Sequence, residues 1–384
     1  MRKLTPVQCD QKPPRCKNCQ RWGIVCDYTA LSAAVAQVYN KNLLYQYNHA
    51  LIYSYKTVTP PPPSPWLDHQ DLELLNHYAT RTSLTLSAEE TLSIWQGYIP
   101  GEAKTHGFLM HSLLALSALH LSYVWPAGRK RDAWFDVANR QHGTALSCFR
   151  SHVTSITAEN GSAVTAFSFL TVIFNIGLPV VYGFESTPFP TSTFIDVIQV
   201  LRTAWGAMSP VLPGIEMGAL GPLIKQPMVG EGTCGMHVKG NQVLQFLAEF
   251  NERRADTEEE KEIYRGAIGA LRKFLQAIRN TPPLWENSLI WPTVVSDAFF
   301  ELLRRKRPFA LILLAHWCIP VYRSPSLWFN QWARNIVADI RRMLEGEFRG
   351  AVNWPAQQVG LVPKEEHERG CACLTCDPVG VGVA

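Results

Sequence analysis

Four cysteines near the start of the chain have the spacing of a metal site. They stand in the stretch CDQKPPRCKNCQRWGIVC as Cys9-x6-Cys16-x2-Cys19-x6-Cys26. Zinc binds four thiolates in a tetrahedron, and a C-x2-C pair lets one tight turn supply two of them. A segment this short and polar has no core to order it without metal. The spacing therefore predicts a zinc-thiolate site, and the alternative is a chance cluster of cysteines in an unstructured tail.

The same segment holds the chain's positive charge. Residues 1–30 carry six Lys and Arg residues against two Asp residues, and their surplus of four equals the formal net charge of +4 of the whole chain. A basic, cysteine-rich head on a neutral body is typical of a module that contacts nucleic acid, although a solvated basic terminus has the same composition. The residues that we expect to contact DNA are Lys3, Lys12, Arg15, Lys17 and Arg21.

The remaining sequence must form a large core, because 47% of the 384 residues are hydrophobic. We expect no membrane span, since the most apolar stretch, 106–125, is interrupted by His, Ser and Gly. The first residues contain no apolar segment of the kind found in secretion signals, which indicates a reducing intracellular compartment. Clustered cysteines in such a compartment hold metal more often than they form disulfides.

The apolar residues after the head recur at helical intervals, which predicts an all-α fold. A head at 1–28 precedes a linker at 29–65, which contains one amphipathic helix and the stiff run TPPPPSP. One large helical domain is expected over 66–362, and a disordered tail over 363–384. The predicted helix starts include Asp68, Ser87, Thr257 and Ser326.

The cysteine stretch resembles the second half of the fungal zinc binuclear cluster, Zn(2)-C6. The family pattern is C-x2-C-x6-C-x5-12-C-x2-C-x6-9-C, in which six cysteines hold two zinc ions and the first and fourth cysteines bridge them. Cys9, Cys16, Cys19 and Cys26 match the third to sixth cysteines. The first two have no counterpart, because the sequence begins eight residues before Cys9.

This departure limits what the resemblance implies. Four thiolates complete at most one zinc site. In the family the counterpart of Cys9 binds only the other zinc ion, so Cys9 would have to move to reach the ion held by Cys16, Cys19 and Cys26. Of the family's basic helix positions, which read DNA in the major groove, only Lys3 keeps its charge. We therefore expect weak DNA contact that depends on salt and has little preference for sequence.

The helical body resembles the regulatory domain of the branch that includes the fungal sterol-uptake regulators. The similar segments include LDHQDLELLNHYATRTSLTLS, HGFLMHSLLALSALHLSY and HWCIPVYRSPSLWFNQWARNIVADI. This resemblance implies a nuclear RNA polymerase II transcription regulator with a hydrophobic effector, such as a sterol or lipid. It is also consistent with a homodimer, or with pairing to relatives. The alternative is a ligand-sensing or dimerising protein that has lost sequence-specific DNA binding.

No motif in the chain predicts catalysis. GxSxG, HExxH, GxGxxG and P-loop patterns are absent from the sequence, and a helical enzyme acting on terpenoids or sterols is only a remote alternative. We interpret His106, His111 and His120 as packing or capping residues, and Cys148 and Cys318 as core residues. The run RRKR at 304–307 fits either a nuclear-import patch or a solvated helix end. A tail with Cys371, Cys373 and Cys376 could lend thiolates to a metal or lack a fixed site.

Overall fold

The computed structural model describes residues 68–87, 89–182, 190–224, 238–255, 257–277, 289–323 and 331–362. Within these ranges the chain forms helices joined by turns and no strand, which confirms the predicted all-α body. The α-helices are α1 His69–His77, α2 Ser83–Leu86, α3 Ile99–Ala103, α4 Gly107–Val124, α5 Arg129–His152, α6 Gly161–Tyr182, α7 Pro190–Met208, α8 Leu212–Met217, α9 Gly221–Ile224, α10 Val238–Arg254, α11 Glu258–Ala277, α12 Ile290–Val294, α13 Asp297–Arg304, α14 Pro308–Tyr322, α15 Gln331–Met343, α16 Gly346–Gly350 and α17 Asn353–Gln358.

Wider turns interrupt the first part of the body. Two π-helical turns, Tyr78–Thr82 and Ile94–Tyr98, flank a short 3-10 turn at Glu89–Thr91. The hydrogen bonds of a π-turn run from residue i to i+5, so each π-turn holds one residue more than an α-helical turn.

Side-chain caps fix several helix starts. The Asp68 carboxylate accepts a hydrogen bond from the Asp71 backbone N–H at 2.8 Å. The Asp71 carboxylate accepts one from the Asp68 backbone N–H, and the pair forms a capping box before α1. The Thr257 hydroxyl accepts from the Glu260 N–H at 3.1 Å before α11. These two predicted caps are confirmed, whereas Ser326 lies outside the described residues.

Three helix boundaries differ from the pattern. The apolar periodicity predicts a helix that ends near Ile176, but α6 continues through Pro179. A single helix expected over 292–306 is divided into α12 and α13, because Ser296 adopts an extended conformation and its hydroxyl caps α13. The segment 210–240 is rich in Gly and Pro, and its first described part contains two short helices, α8 and α9.

The helical body divides into two compact units. Among the described residues, unit 1 comprises 68–84, 89–178 and 196–222, and unit 2 comprises 85–87, 179–182, 190–195 and the described residues from 223 onward. Both divisions near residues 178 and 195 fall inside continuous helices, α6 and α7. The predicted limits of the head, linker and tail lie outside the described residues and stay predictions.

The core of unit 1 is built around α4, which packs along α5. Burial on nearly every side of α4 explains why its sequence is apolar all round rather than on one stripe. The rings of Phe108, Phe149 and Phe167 form a compact aromatic group, with Phe149 and Phe167 stacked at a centroid distance of 4.6 Å. This group joins α4, α5 and α6.

Unit 2 has its own aromatic core around α14. Phe194 at the start of α7 contacts Trp317 of α14 and Trp332 of α15, with ring centroids 5.1 and 4.5 Å apart. The His316 ring, also on α14, lies 5.7 Å from the ring of Trp354 on α17. The α14 segment is buried on all sides, as its uniformly apolar sequence predicts.

Two helices among the described residues are long and apolar enough to cross a membrane by length and composition alone. These are Gly107–Val124 and Gly161–Val181, whose most apolar windows are 67% and 94% buried inside the structure. Core helices of globular proteins pass the same test. Their burial is compatible with the expected absence of a membrane span.

Candidate effector site

None of the residues predicted to bind zinc or to contact DNA in the head is among the described residues. Cys9, Cys16, Cys19, Cys26 and the five basic residues of the head all lie outside the described residues. Within the ranges that the structure describes, no group of three or more His, Cys, Asp or Glu residues could hold a metal. Most of the buried polar residues of the described helical body lie in unit 1.

The π-turn cluster, formed by His77, Tyr78, Thr82, Trp95 and His120, is a buried polar group in unit 1. The Thr82 hydroxyl oxygen lies 3.0 Å from His120 Nδ1, and the rings of His77 and His120 are 5.2 Å apart. The Tyr78 hydroxyl donates to the Trp95 carbonyl at 3.1 Å, which links the first π-turn to the second. Gln96 adds a second link through its side-chain amide, which donates to the Ala79 carbonyl at 2.9 Å.

Burial keeps both histidines of the π-turn cluster neutral at physiological pH. Loss of solvent, followed by the nearby charge of His77, lowers the pKa of His120 to about 4. Loss of solvent and then the charge of Arg81 lower the pKa of His77. Burial also raises the pKa of the Tyr78 hydroxyl. The cluster thus presents neutral donors and acceptors rather than charge.

A polar chain joins three helices beside the π-turn cluster. The Gln141 side chain, on α5, donates to the Asp71 carboxylate at 2.8 Å, and its carbonyl oxygen lies 2.7 Å from His111 Nδ1. Since an amide carbonyl only accepts, the proton of this contact resides on His111 Nδ1. Burial is the largest influence on Asp71 and raises the pKa of its carboxyl. This chain orients α1, α4 and α5 through side chains that satisfy one another.

A further buried polar group of unit 1, on α5 and α6, has two atoms without a hydrogen-bond partner in the described structure, whereas the π-turn cluster has one, His77 Nε2. In this His142 cluster, the imidazole of His142 on α5 stacks on Phe174 of α6 with a centroid distance of 4.1 Å. His142 Nε2 is buried without a hydrogen-bond partner in the described structure, and so is the hydroxyl of Thr171, one helical turn before Phe174. Burial, followed by the charge of Arg150, lowers the pKa of His142 to about 3. Such unsatisfied atoms, one on α5 and one on α6, are unusual because buried polar groups are almost always hydrogen-bonded.

This arrangement can bind a polar group but has no machinery for covalent catalysis. A neutral imidazole and a hydroxyl can donate to or accept from the hydroxyl of an otherwise apolar molecule. The one thiol near an imidazole in α5 is Cys148, whose Sγ lies 3.6 Å from His152 Nδ1. Burial raises the pKa of that thiol, which disfavours the thiolate that a nucleophile requires.

The histidines predicted to pack or cap do so. His106 precedes α4, and its Nδ1 lies 3.0 Å from the Glu102 carbonyl, while His111 and His120 have the partners given above. Cys318 is buried as expected, whereas Cys148 is only partly buried. Cys371, Cys373 and Cys376 lie outside the described residues.

The basic run RRKR lies at the end of α13 and is largely ion-paired. Arg304 and Arg305 contact Glu301 at 3.0 and 2.8 Å, and Arg307 contacts Glu260 at 3.1 Å. These pairs agree with the interpretation as a helix end.

Sequence reasoning missed both polar clusters. Thr82 and His120 are 38 positions apart, and helical periodicity carries no information about such contacts. The stretch DLELLNHYATRTSLTLS has an ordinary helical pattern, so nothing in it marks a π-turn. A polar residue on an apolar helix face was the available signal, at His142 and Thr171 on segments otherwise rich in core residues.

Comparison with known proteins extends the resemblance over most of the chain. No family model matches. The chain is 24% identical over 336 residues to the Zn(2)-C6 fungal-type transcription factor afumD of Aspergillus fumigatus, a match that covers 84% of each protein. It is 22% identical to a Zn(2)-C6 fungal-type transcription factor of Gibberella zeae, over 85% of this chain and 77% of that protein.

A sterol-related protein is also similar, over a shorter part. Sterol uptake control protein 2 of Candida albicans is 29% identical over 173 residues, which cover 42% of this chain and only 23% of that much longer protein. The chain is thus a homologue of fungal proteins named Zn(2)-C6 transcription factors and sterol uptake control proteins.

Proposed function

We propose that this protein is a fungal transcription regulator, in which a zinc-thiolate head is joined to an all-helical effector domain. The observation that carries the proposal is the alignment of 84% of the chain with a protein named as a Zn(2)-C6 transcription factor. Proteins so named are not enzymes, and the sequence has no catalytic motif. A regulator of this kind acts in the nucleus.

The head would take its shape from one zinc ion. Cys9, Cys16, Cys19 and Cys26 supply four thiolates, which is the ligand set of a closed structural zinc site. Bound zinc supplies folding free energy to a segment that has no apolar core. Nearby basic residues favour the deprotonated thiols and would contact phosphate groups of DNA. Those residues are Lys3, Lys12, Arg15, Lys17 and Arg21.

The effector would be an apolar molecule with a single hydroxyl, such as a sterol or related lipid. The His142 cluster supports this proposal, because Nε2 of His142 and the Thr171 hydroxyl are unsatisfied polar atoms within an apolar interior. A ligand hydroxyl that reached either atom would satisfy it and would leave the rest of the ligand in apolar surroundings. An effector that binds two arrangements of the body differently would change the exposure of the head or of a partner surface.

Binding to DNA at low and high salt tests the regulatory half of the proposal. We expect the affinity for duplex DNA to fall steeply with salt and to show little preference for sequence. Replacing the basic residues of the head with Gln should flatten the salt dependence. Unchanged DNA binding by that variant would contradict a DNA-contacting head and would favour a regulator that acts through ligand sensing or dimerisation alone.

Thermal unfolding with cholesterol tests the effector half. Cholesterol should raise the unfolding temperature of the wild-type chain, and cholesteryl acetate, whose hydroxyl is blocked, should raise it less. His142→Phe removes Nε2 and should abolish this difference. His69→Phe is the matched control, since His69 is an exposed residue at the start of α1. Equal stabilisation by both compounds would contradict recognition of a hydroxyl.

A further inference from the structure

The turn between α4 and α5 projects an unbroken run of exposed residues. This hairpin tip, residues 123–131, follows the last buried position of α4, and residues 123–130 are all exposed. The Ser122 hydroxyl donates to the Arg131 carbonyl at 2.9 Å and closes the hairpin behind the tip. Gly128 turns the chain with a φ of 143°, a conformation that other residues rarely adopt. The tip is therefore a defined structure at the end of two long packed helices.

Three consecutive side chains at the tip are large and apolar. Tyr123, Val124 and Trp125 are 44%, 59% and 39% exposed. Single exposed apolar residues are ordinary on protein surfaces, but a contiguous group marks a contact surface. Tyr and Trp combine an apolar ring with a polar atom, which suits them to a boundary between water and an apolar phase.

Three consecutive basic residues accompany the apolar ones. Arg129, Lys130 and Arg131 open α5, and Nζ of Lys130 lies 4.1 Å from the centroid of the Trp125 ring. The cation and the aromatic ring thus occupy the same face of the tip. Residues 123–131 contain no acidic residue, and the nearest ones, Asp132 and Asp136, follow on α5. The tip itself therefore carries only positive charge.

We propose that the hairpin tip docks on the surface of an anionic phospholipid bilayer. Such a surface offers phosphate groups to the three basic side chains and an apolar boundary to Tyr123, Val124 and Trp125. Segments that bind this interface without spanning the bilayer combine basic residues with aromatic ones.

Two other anionic targets fit the tip less well. Duplex DNA presents phosphates to basic residues but no apolar layer for Val124 and Trp125. An acidic protein would need a wider contact, because a stable protein interface uses roughly 20 to 30 residues from each side. The tip offers only the exposed run 123–130. A bilayer needs no such area, since its surface adapts to a small convex tip.

Co-sedimentation of the full chain with vesicles tests this proposal. We expect binding to vesicles that contain phosphatidylserine, weaker binding to vesicles of phosphatidylcholine alone, and a decrease in binding as salt rises. Replacing Arg129, Lys130 and Arg131 with Gln should weaken the partition on the order of a hundredfold, since each basic residue contributes about fivefold near an anionic surface. Trp125→Ala should weaken it several-fold at unchanged charge.

Matched controls separate the tip from general surface charge and exposure. Lys104, Arg272 and Lys273 are exposed basic residues elsewhere, and their joint replacement with Gln removes the same charge. Met217→Ala removes an apolar side chain that is 84% exposed in the same unit. Both controls should retain nearly all binding that the tip provides.

The proposal is overturned if the tip and control variants bind anionic vesicles equally, or if the wild-type chain binds none. It is also overturned if the tip variants lose binding to duplex DNA or to a partner protein while binding to vesicles is unchanged. Should Trp125→Ala lower the unfolding temperature, the triple Gln variant decides alone, because it changes only the charged ends of side chains in the first turn of α5.

Discussion

The backbone N–H of Thr191 donates a hydrogen bond to the carboxylate of Asp339 at 3.2 Å, across 148 positions of sequence. Thr191 lies in the first turn of α7 and Asp339 lies on α15, and both belong to unit 2. The carboxylate is buried, with 6% exposure, and its other oxygen contacts Arg342 at 3.3 Å. A negative charge at the start of a helix is favourable because the first backbone N–H groups point toward it.

Removing this carboxylate should destabilise unit 2. We expect Asp339→Ala to lower the free energy of unfolding by about 2 to 3 kcal/mol, since it deletes an ionic hydrogen bond to a buried N–H. Asp339→Asn keeps an acceptor and should cost about half as much. Urea unfolding measures both changes, and Asp136→Asn, at an exposed position of α5 beyond its first turn, is the control. Equal stability of Asp339→Ala and wild type would show that the contact contributes nothing.

The contact between the two π-turns offers a second test. Tyr78→Phe removes only the hydroxyl that donates to the Trp95 carbonyl. We expect a loss of about 1 to 2 kcal/mol in unfolding free energy, because the hydroxyl is buried and the substitution leaves the ring packing intact. Tyr98→Phe, at a partly exposed position of the second π-turn, is the matched control. If both variants lose the same unfolding free energy, the buried hydrogen bond of Tyr78 contributes no more to stability than the partly exposed hydroxyl of Tyr98.

The pH dependence of stability should report the buried histidines. An unfolded His titrates near 6.5, whereas burial lowers the pKa of His142 to about 3 in the folded chain. Between these values the unfolded state binds more protons, so the unfolding free energy falls as the pH decreases from 6.5 toward 3. Above pH 6.5 both states are neutral and His142 has no effect.

The variant His142→Phe isolates this contribution. It should flatten the slope of unfolding free energy against pH by up to about 1.4 kcal/mol per pH unit below pH 6.5. His69→Phe makes the same substitution at an exposed position and serves as its control. Urea unfolding at several pH values between 5 and 8 measures the slopes. Parallel curves for wild type and His142→Phe would refute the neutral buried state of His142.

Native mass spectrometry should find at most one zinc ion per chain. Four thiolates at Cys9, Cys16, Cys19 and Cys26 complete one tetrahedral site. Cys16→Ser should therefore remove the ion, whereas Cys148→Ser, within the helical body, should retain it. Two ions per chain, or retention of zinc by Cys16→Ser, would contradict the ligand set.

The helices were predictable because apolar residues recur at helical intervals, and α11 and α15 show this well. Boundaries were less predictable where one residue outweighs the pattern. Ser296 divides an apolar run by adopting an extended cap, and Pro179 fails to end α6 although it lacks an N–H. Local preference is weak compared with tertiary packing at both positions.

The polar clusters were not predictable, since they depend on side chains brought together from distant helices. His142 and Thr171 look like ordinary polar substitutions in helical segments until Phe174 places them on facing helices. The cysteine head shows the opposite case, because thiolate spacing is itself the signal. Its geometry lies outside the described residues, so the zinc site stays a prediction.

The two π-turns have a consequence for how this chain can vary. Each wide turn accommodates one extra residue, so deleting a single codon within Tyr78–Thr82 would restore regular helical winding. Because the turn absorbs its extra residue, the helix that follows would keep nearly the same face, whereas the residues of the turn itself would shift and Thr82 would lose its contact with His120. Loss of one amino acid here would therefore disrupt the π-turn cluster while leaving the helix beyond it in register, so the damage should be confined to this segment.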